Sequence, residues 1–195
     1  MKNISLIDED FMDFPIGEFP YDKNHSATGE YHFIHYPGFY GRWYDPVCNY
    51  RYNGQGASWC IMEYNGRHYM EQMRLHNTEP HRTFPTLETG DRFWRDYDIE
   101  AGLRMFNTKW GSAGIGFCAQ NSLNLLACIF EDKKLKLVYR HKEDVEEIKS
   151  VDFDYNCDDT YNIKVSVKGS HVICSVDDST SVSYTHLTLP TTERV

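Results

Sequence analysis

The sequence predicts an all-β protein built as an antiparallel β-sandwich. In the second half of the chain, hydrophobic residues alternate with polar ones, which is the period-two pattern of β-strands. Short clusters of turn-forming residues separate these segments, and no sustained helical period occurs in this half. The chain has 195 residues, 41% of them hydrophobic, which is enough for one well-buried domain. These features favour a sandwich or a barrel over a βαβ fold.

The predicted strands of this half follow one another between residues 97 and 176. The segment from Tyr97 to Met105 has apolar residues on one face and mostly polar residues on the other, which predicts a half-buried strand. The next two segments, 114–119 and 123–130, predict a hairpin. Its second strand is apolar on both faces, so we expect it to be central in its sheet. A final hairpin, formed by 161–167 and 171–176, is predicted to bend at Gly169. In chain order, the strands after the first are expected at 114–119, 123–130, 135–139, 145–153, 161–167 and 171–176.

The first half of the chain contains a separate hairpin signal. Asn65-Gly66 is a preferred dipeptide of the type I′ turn, and it lies between two alternating segments in the range 58–74. Alternation along the return strand predicts that Arg67, Tyr69 and Glu71 share one face. Residues 31–46 crowd aromatic residues, histidines and glycines together, and we expect loops there.

Several motifs occur in an order that resembles concanavalin A-like jelly-roll modules, including the laminin-G-like group. Trp94 precedes the strand Asp-Tyr-Asp-Ile-Glu-Ala at 96–101, Ala-Gly-Ile-Gly-Phe follows at 113–117, and Val-Lys-Gly occurs at 167–169. The similarity covers residues 88–178, and the segment from Ile7 to Phe11 looks like the first strand of such modules. The resemblance implies a jelly roll whose last C-terminal strands are missing.

The end of the chain looks like the in-frame translation of a sequencing adapter. We therefore expect two parts: an incomplete concanavalin-like sandwich at 1–181 and a non-native tail at 182–195. Further domains are expected in the full-length chain.

Charge and composition exclude several classes of function. The net charge is −9 and the chain has no dense basic run, so we expect no nucleic acid partner. No stretch is apolar for the roughly 20 residues that cross a membrane, and the N-terminus lacks an apolar leader segment. The expected location is the cytoplasm if Met1 is the true start. The six cysteines contain no Cys-x-x-Cys pair, which favours reduced thiols and argues against a zinc site.

Carbohydrate is the expected partner. Tyrosine and tryptophan rings complement the C–H surfaces of sugar rings, and Arg and Asp side chains bond pairs of hydroxyl groups. Packing of the same aromatic rings in a core is the alternative interpretation. We expect a carbohydrate-binding or accessory module of a larger polysaccharide-processing protein. The predicted contact residues are Tyr36, Tyr40, Arg42, Trp43, Asp45 and Arg74.

A catalytic domain is the second hypothesis. Glycosidases use two carboxyl groups about 5 to 10 Å apart, and Glu63 and Glu71 are the candidates. The Glu-x-Asp-x-x-Glu strand of laminarinase-type enzymes does not occur in this sequence. A polysaccharide lyase would instead use a Tyr or His base beside a cationic group, and Tyr69 and Arg67 supply those residue types.

Two further hypotheses come from the resemblance. A laminin-G-like protein-interaction module is the third functional alternative, and it would present the aromatic segment as a flat apolar patch. Jelly-roll modules of this group often carry a structural calcium ion near the first strand. The residues that would hold it are Glu9, Asp10 and Asp177, by similarity of position.

Overall fold

The computed structural model describes residues 4–19, 39–40, 43–44, 59–73, 86–91, 93–106, 111–142, 144–157 and 159–185. All strand pairs within these ranges are antiparallel, which confirms the prediction of an all-β, antiparallel sandwich. No described segment forms a helix of the length and apolarity that crossing a membrane requires. The chain divides into two compact units, Met1–Gly90 and Asp91–Val195. The sequence-based boundaries at 1–181 and 182–195 stay a prediction.

The described strands of the second unit are β7 Asp98–Arg104, β8 Ala113–Asn121, β9 Asn124–Glu131, β10 Lys134–His141, β11 Asp144–Asp152, β12 Thr160–Lys168, β13 His171–Val176 and β14 Thr180–Thr185. They form a sandwich of two four-stranded sheets. One, here called the meander sheet, has the order β11-β10-β9-β8, and the other, the β7 sheet, has the order β14-β13-β12-β7. The chain crosses between the sheets after β7 and returns before β12, which places β7 beside β12.

The core of this unit lies between the two sheets. Alternate residues of each inner strand point inward, as the period-two pattern predicts, and they form one buried cluster. Its largest contributions are Leu126, Cys128 and Phe130 from β9, Leu135 and Leu137 from β10, Ile163, Val165 and Val167 from β12, and Val172, Cys174 and Val176 from β13. Strand β9 is buried on both faces from Leu125 to Phe130, which confirms its predicted central position.

Gly114 explains the Ala-Gly motif of β8. It pairs with Ile129 of β9, and a Cβ atom at this position would overlap the Cys128 carbonyl oxygen and lie 2.7 Å from the Ile129 Cα. Since both atoms belong to the backbone, no side-chain movement relieves the overlap. A glycine is therefore required for β8 and β9 to pair this closely.

A β-bulge interrupts β8 after Phe117. Cys118 has a φ of 50°, and its backbone N–H donates to the Tyr97 hydroxyl oxygen at 3.0 Å. Burial, followed by the hydrogen bond with the Cys118 side chain, raises the pKa of Tyr97 well above its ordinary value. The neutral Tyr97 hydroxyl thus satisfies a backbone donor that the bulge removes from the ladder.

Lys136 is a buried cation in the meander sheet. Its Nζ lies 2.8 Å from both Glu131 Oε2 and Asp132 Oδ2, and 3.6 Å from Glu147 Oε2. Burial opposes the charge of Lys136, but the hydrogen bonds to Asp132 and Glu131 outweigh this effect and raise its pKa. The three carboxylates therefore keep Lys136 charged where β9, β10 and β11 meet.

The described strands of the first unit are β1 Gly17–Phe19, β2 Phe39–Tyr40, β3 Trp43–Tyr44, β4 Trp59–Tyr64, β5 Arg67–Gln72 and β6 Glu88–Thr89. They form two three-stranded sheets, with the orders β1-β4-β5 and β2-β3-β6. Phe14 and Ile61 are buried in this unit, and Trp43, Trp59 and Met70 are among the residues packed against them.

The Asn65-Gly66 turn was predicted correctly. Both central residues have positive φ, 52° for Asn65 and 74° for Gly66, as a type I′ turn requires. Strands β4 and β5 on either side form the predicted hairpin.

The prediction of a first strand from Ile7 to Phe11 was wrong. The Glu9 and Asp10 carboxylates accept hydrogen bonds from the backbone N–H groups of Phe11 and Met12, at 3.0 and 3.1 Å. Phe11 has a φ of 60°, and the Phe14 N–H donates to its carbonyl oxygen. These local bonds close a turn, and they compete with strand pairing for the same backbone groups. The segment expected to consist of loops also contains the short strands β2 and β3.

Strand β14 follows the Asp178 turn. β14 pairs with β13 from Thr180 opposite Val176 to Thr185 opposite His171, and its Val182 side chain is 2% exposed. Residues 182–185, which the sequence assigned to the tail, are thus paired at the edge of the β7 sheet. The adapter origin of 182–195 stays a prediction.

Candidate functional site

The β4–β5 hairpin sorts its side chains onto two faces. Tyr64 lies directly opposite Arg67 across the two-residue turn, and this register continues to Trp59 opposite Gln72. Side chains alternate along each strand, and directly paired residues point to the same face. This register therefore assigns every side chain of the hairpin to one of the two faces. The inner face carries Trp59, Ile61, Glu63, His68, Met70 and Gln72, and the other carries Cys60, Met62, Tyr64, Arg67, Tyr69 and Glu71.

The inner face packs on the N-terminal segment. Ile61 is 1% exposed and clusters with Phe14 and Met70. The His68 Nδ1 atom lies 3.2 Å from the Phe11 carbonyl oxygen, and the backbone N–H of His68 donates to the Met12 sulfur at 3.3 Å. These contacts anchor the inner face of the hairpin to the N-terminal segment.

The opposite face, here called the Tyr64 face, has three cross-strand pairs. They are Tyr64 with Arg67, Met62 with Tyr69, and Cys60 with Glu71. Side chains on one face repeat about every 7 Å along a strand, because each residue advances about 3.4 Å. The three pairs therefore form a strip of about 14 Å with an aromatic and a cationic side chain at one end and a carboxylate at the other.

The Tyr64 face is accessible at its turn end. Tyr64 is 62% exposed, and Arg67 is also exposed, whereas Tyr69 and Glu71 are half-buried. A half-buried side chain has a restricted set of rotamers, so it offers a fixed surface to a ligand. This combination of held and accessible side chains is suited to binding at a surface.

The structure does not bring Glu63 and Glu71 together. Cys60 is the residue opposite Glu71, and Glu63 lies opposite His68 on the inner face. The two carboxyl groups therefore leave the hairpin in opposite directions, so the arrangement lacks the shared face that flanking one glycosidic bond requires. By contrast, the predicted common face of Arg67, Tyr69 and Glu71 is confirmed.

Trp43 is held inside the first unit. Its indole Nε1–H donates to Glu9 Oε2 at 3.0 Å, and its ring centroid lies 5.4 Å from that of Phe11. Tyr40 pairs with Trp43 through the β2–β3 backbone ladder. The other predicted sugar contacts, Tyr36, Arg42, Asp45 and Arg74, lie outside the described residues.

The three candidate calcium ligands have protein partners. Both Glu9 oxygens accept hydrogen bonds, one from the Phe11 N–H and one from Trp43 Nε1. Asp10 accepts from the Met12 N–H, and Asp177 accepts from the Asn162 N–H at 2.8 Å. Among the described residues, no group of three His, Cys, Asp or Glu side chains is arranged to hold a metal ion.

Tyr64 is a candidate site residue that the sequence-based prediction did not include. The signal was present, because a two-residue turn fixes the residue before Asn65 opposite the residue after Gly66. The hairpin was predicted, but the shared face was worked out along β5 alone, so the residues opposite on β4 were left out.

Comparison with protein-family models, with curated proteins and with solved structures found no match for this chain.

Proposed function

We propose that this chain binds carbohydrate without catalysing a reaction, through the Tyr64 face of the β4–β5 hairpin. The observation that supports this proposal most is the register of the hairpin, which gathers Tyr64, Arg67, Tyr69 and Glu71 on one face. The proposal includes an accessory role in polysaccharide processing. The Tyr64 face, rather than the aromatic segment 31–46, becomes the first place to look for bound sugar.

The side chains of the Tyr64 face suit a saccharide. The two tyrosine rings offer flat apolar surfaces to the C–H groups of a pyranose. Arg67 supplies hydrogen-bond donors in a fixed plane, and Glu71 supplies acceptors, which together match neighbouring hydroxyl groups. The face is an elongated strip, which favours a chain of sugar units over a single small molecule.

The separation of the two carboxylates supports binding rather than hydrolysis. Glu63 and Glu71 lie on opposite faces of the hairpin, so they do not form an acid and nucleophile pair. A polysaccharide lyase remains the second candidate, and it is favoured by one observation. Arg67, which would neutralise a uronate, shares a face with Tyr69, which would act as the base.

The test is a glycan array probed with the full chain, followed by calorimetric titration of the best ligand. Tyr64→Ala is expected to weaken binding at least about tenfold, because an exposed aromatic anchor is lost. Phe93→Ala is the matched control, since Phe93 is an aromatic residue 70% exposed in the second unit, and it should leave the affinity unchanged. Trp43→Ala is less suitable, because Trp43 packs in the first unit and its loss would disturb the fold.

The lyase alternative is separated by product formation. The same chain is incubated with neutral and uronate-containing polysaccharides, and unsaturated products are measured by ultraviolet absorbance. Binding without product supports the proposal. Turnover that Tyr69→Phe abolishes would establish the lyase instead. Equal glycan affinity of the wild type and Tyr64→Ala would refute the assignment of this face.

A further inference from the structure

Strand β14 leaves one edge of the β7 sheet open. In the order β14-β13-β12-β7, it pairs with β13 and has no second neighbour among the described strands. Val182 is buried, whereas Ser181, Ser183 and Thr185 are exposed. The strand, Thr-Ser-Val-Ser-Tyr-Thr, contains no charged residue and no proline. It therefore lacks the side chains that commonly protect an edge strand from pairing with another chain.

The other edges of the described sandwich carry such protection. β7 and β11 bear charged side chains, and a bulge after Phe117 interrupts β8. The charged residues are Asp98, Glu100 and Arg104 on β7, and Asp144, Glu146, Glu147, Lys149 and Asp152 on β11. Strand β14 differs from these strands because it is uncharged and its pairing with β13 has a continuous register.

The backbone groups of Ser183 point to the open edge. Just after β13, the Asp177 N–H donates to the Asn162 carbonyl oxygen next to it on β12. Backbone groups alternate in direction along a strand, so those of Ile173 also point to β12. Ser183 lies opposite Ile173 and is therefore in a non-hydrogen-bonded pair. Its N–H and C=O are directed away from β13, and every second residue of β14 shares this direction.

A lysine from the facing sheet lies against this edge. Lys149 of β11 donates from Nζ to the Ser183 carbonyl oxygen at 2.9 Å. It pairs with Leu137, whose side chain lies in the core, so Lys149 leaves β11 on the side that faces the β7 sheet. An inward-pointing charge is one of the features that keep edge strands from pairing. Because the acceptor is a backbone carbonyl, the contact depends on the course of β14 and not on its side chains.

We propose that the β14 edge is a self-association surface for a second copy of this chain, and that Lys149 keeps it closed. Antiparallel pairing of β14 with its copy about a two-fold axis at Ser183 places Ser181 opposite Thr185. The backbone groups of these residues point outward, so the pairing forms about six hydrogen bonds. Val182 then lies opposite Tyr184, a favourable cross-strand pair, and no like charges meet along the strand.

Lys149 opposes this pairing in two ways. Its ammonium group occupies the Ser183 carbonyl oxygen, which is the central acceptor of the two-fold pairing. The axis at Ser183 also brings the Lys149 side chains of the two copies close together, where their charges repel. The side chain must therefore withdraw before the edge can pair. A single short strand buries little surface, so even the opened edge should associate reversibly and at high protein concentration.

The experiment is analytical ultracentrifugation of the full chain over a concentration series that reaches the solubility limit. Lys149→Met removes the ammonium group but keeps a long side chain. It should associate at least about tenfold more tightly than the wild type and approach twice the mass of one chain. Lys164→Met is the matched control, because it removes the same charge from β12, a strand paired on both sides. It should behave like the wild type.

A second change tests whether β14 is the strand that pairs. Adding Ser183→Pro to Lys149→Met should restore the wild-type behaviour. Proline at this position removes an outward N–H but no bond to β13, so the fold should tolerate it, and circular dichroism checks this. Amide exchange measured by nuclear magnetic resonance needs no variant. In the wild type, the Ser181 and Ser183 amides should exchange faster than those of Val182 and Tyr184, which bond to β13.

Four results would overturn the proposal. The first is equal association of the wild type and Lys149→Met, and the second is association of Lys164→Met as tight as that of Lys149→Met. The third is growth beyond a dimer, because a two-fold contact through one edge closes with two copies. The fourth is slow exchange of the Ser183 amide in the wild type, since that amide would then bond to β13.

Discussion

Replacing Gly114 with alanine tests how closely β8 and β9 pair. The new Cβ atom would overlap the Cys128 carbonyl oxygen and lie 2.7 Å from the Ile129 Cα, where ordinary contacts begin near 3.4 Å. The strands must separate locally, which breaks ladder hydrogen bonds worth about 1 kcal/mol each. Overpacking adds about 1 to 3 kcal/mol. We expect the free energy of unfolding of the sandwich to fall by about 2 to 4 kcal/mol.

Gly102→Ala is the matched control for this change. Gly102 also lies in a strand of the same sandwich, but a Cβ there would meet only the Thr160 Cγ2 at 3.6 Å, an ordinary contact. The expected change in unfolding free energy is below about 1 kcal/mol. Comparing the two variants separates the local overlap from the general effect of replacing glycine with alanine.

Hydrogen exchange measured by mass spectrometry suits this prediction, because it reports the protection of the backbone amides segment by segment. The sandwich can therefore be followed separately from the first unit. Amides of β8 and β9 should lose protection in Gly114→Ala and keep it in Gly102→Ala. Urea unfolding followed by circular dichroism supplies the free energies. If both variants match the wild type to within about 0.5 kcal/mol, the pairing of Gly114 with Ile129 is wrong.

Three further changes test the polar contacts of the sandwich. Lys136→Met should lower the free energy of unfolding by about 1 to 2 kcal/mol, because three carboxylates lose their shared cation. Lys168→Met removes a cation from an exposed ion pair and should cost below about 0.5 kcal/mol. Urea unfolding measures both changes. The hydrogen bond from Ser150 and the charge of Lys136 lower the pKa of Glu147 below 4.5. A carboxyl group whose pKa is lowered in the folded state stabilises the fold above its unfolded pKa, and this stabilisation is lost as the pH falls. The melting temperature of Ser150→Ala should therefore change less with pH below 4.5 than that of the wild type. Tyr97→Phe leaves a backbone N–H at the bulge without its acceptor and should cost about 1 kcal/mol in thermal unfolding.

The strands of the sandwich were predictable because their signal is local. Alternation from residue 97 onward follows the two faces of each strand, and the uninterrupted apolar run of β9 identified a strand buried on both sides. The Asn65-Gly66 turn was equally local, since only residues that tolerate positive φ suit it. In each case the residue type itself determines the local structure.

The predictions that failed depend on contacts between residues on different segments, and local sequence patterns do not show which residues meet. Glu9 was expected in a strand, but its carboxylate bonds to the nearby Phe11 N–H and to Trp43, which is remote in sequence. Aromatic composition does not reveal that Glu9 accepts a hydrogen bond from the Trp43 indole. The prediction of Trp43 as a sugar contact stays a prediction. Glu63 was mispaired with Glu71 because alternation was followed on one strand without the register to the next.

The most direct test of the proposed function is a nuclear magnetic resonance titration of the isotope-labelled full chain with the best oligosaccharide from the array. We expect amide shifts to change along β4 and β5, largest around Tyr64 and Arg67, while those of the sandwich in Asp91–Val195 stay constant. Shift changes confined to the second unit, or none at a ligand concentration that saturates the array signal, would contradict carbohydrate binding by the Tyr64 face.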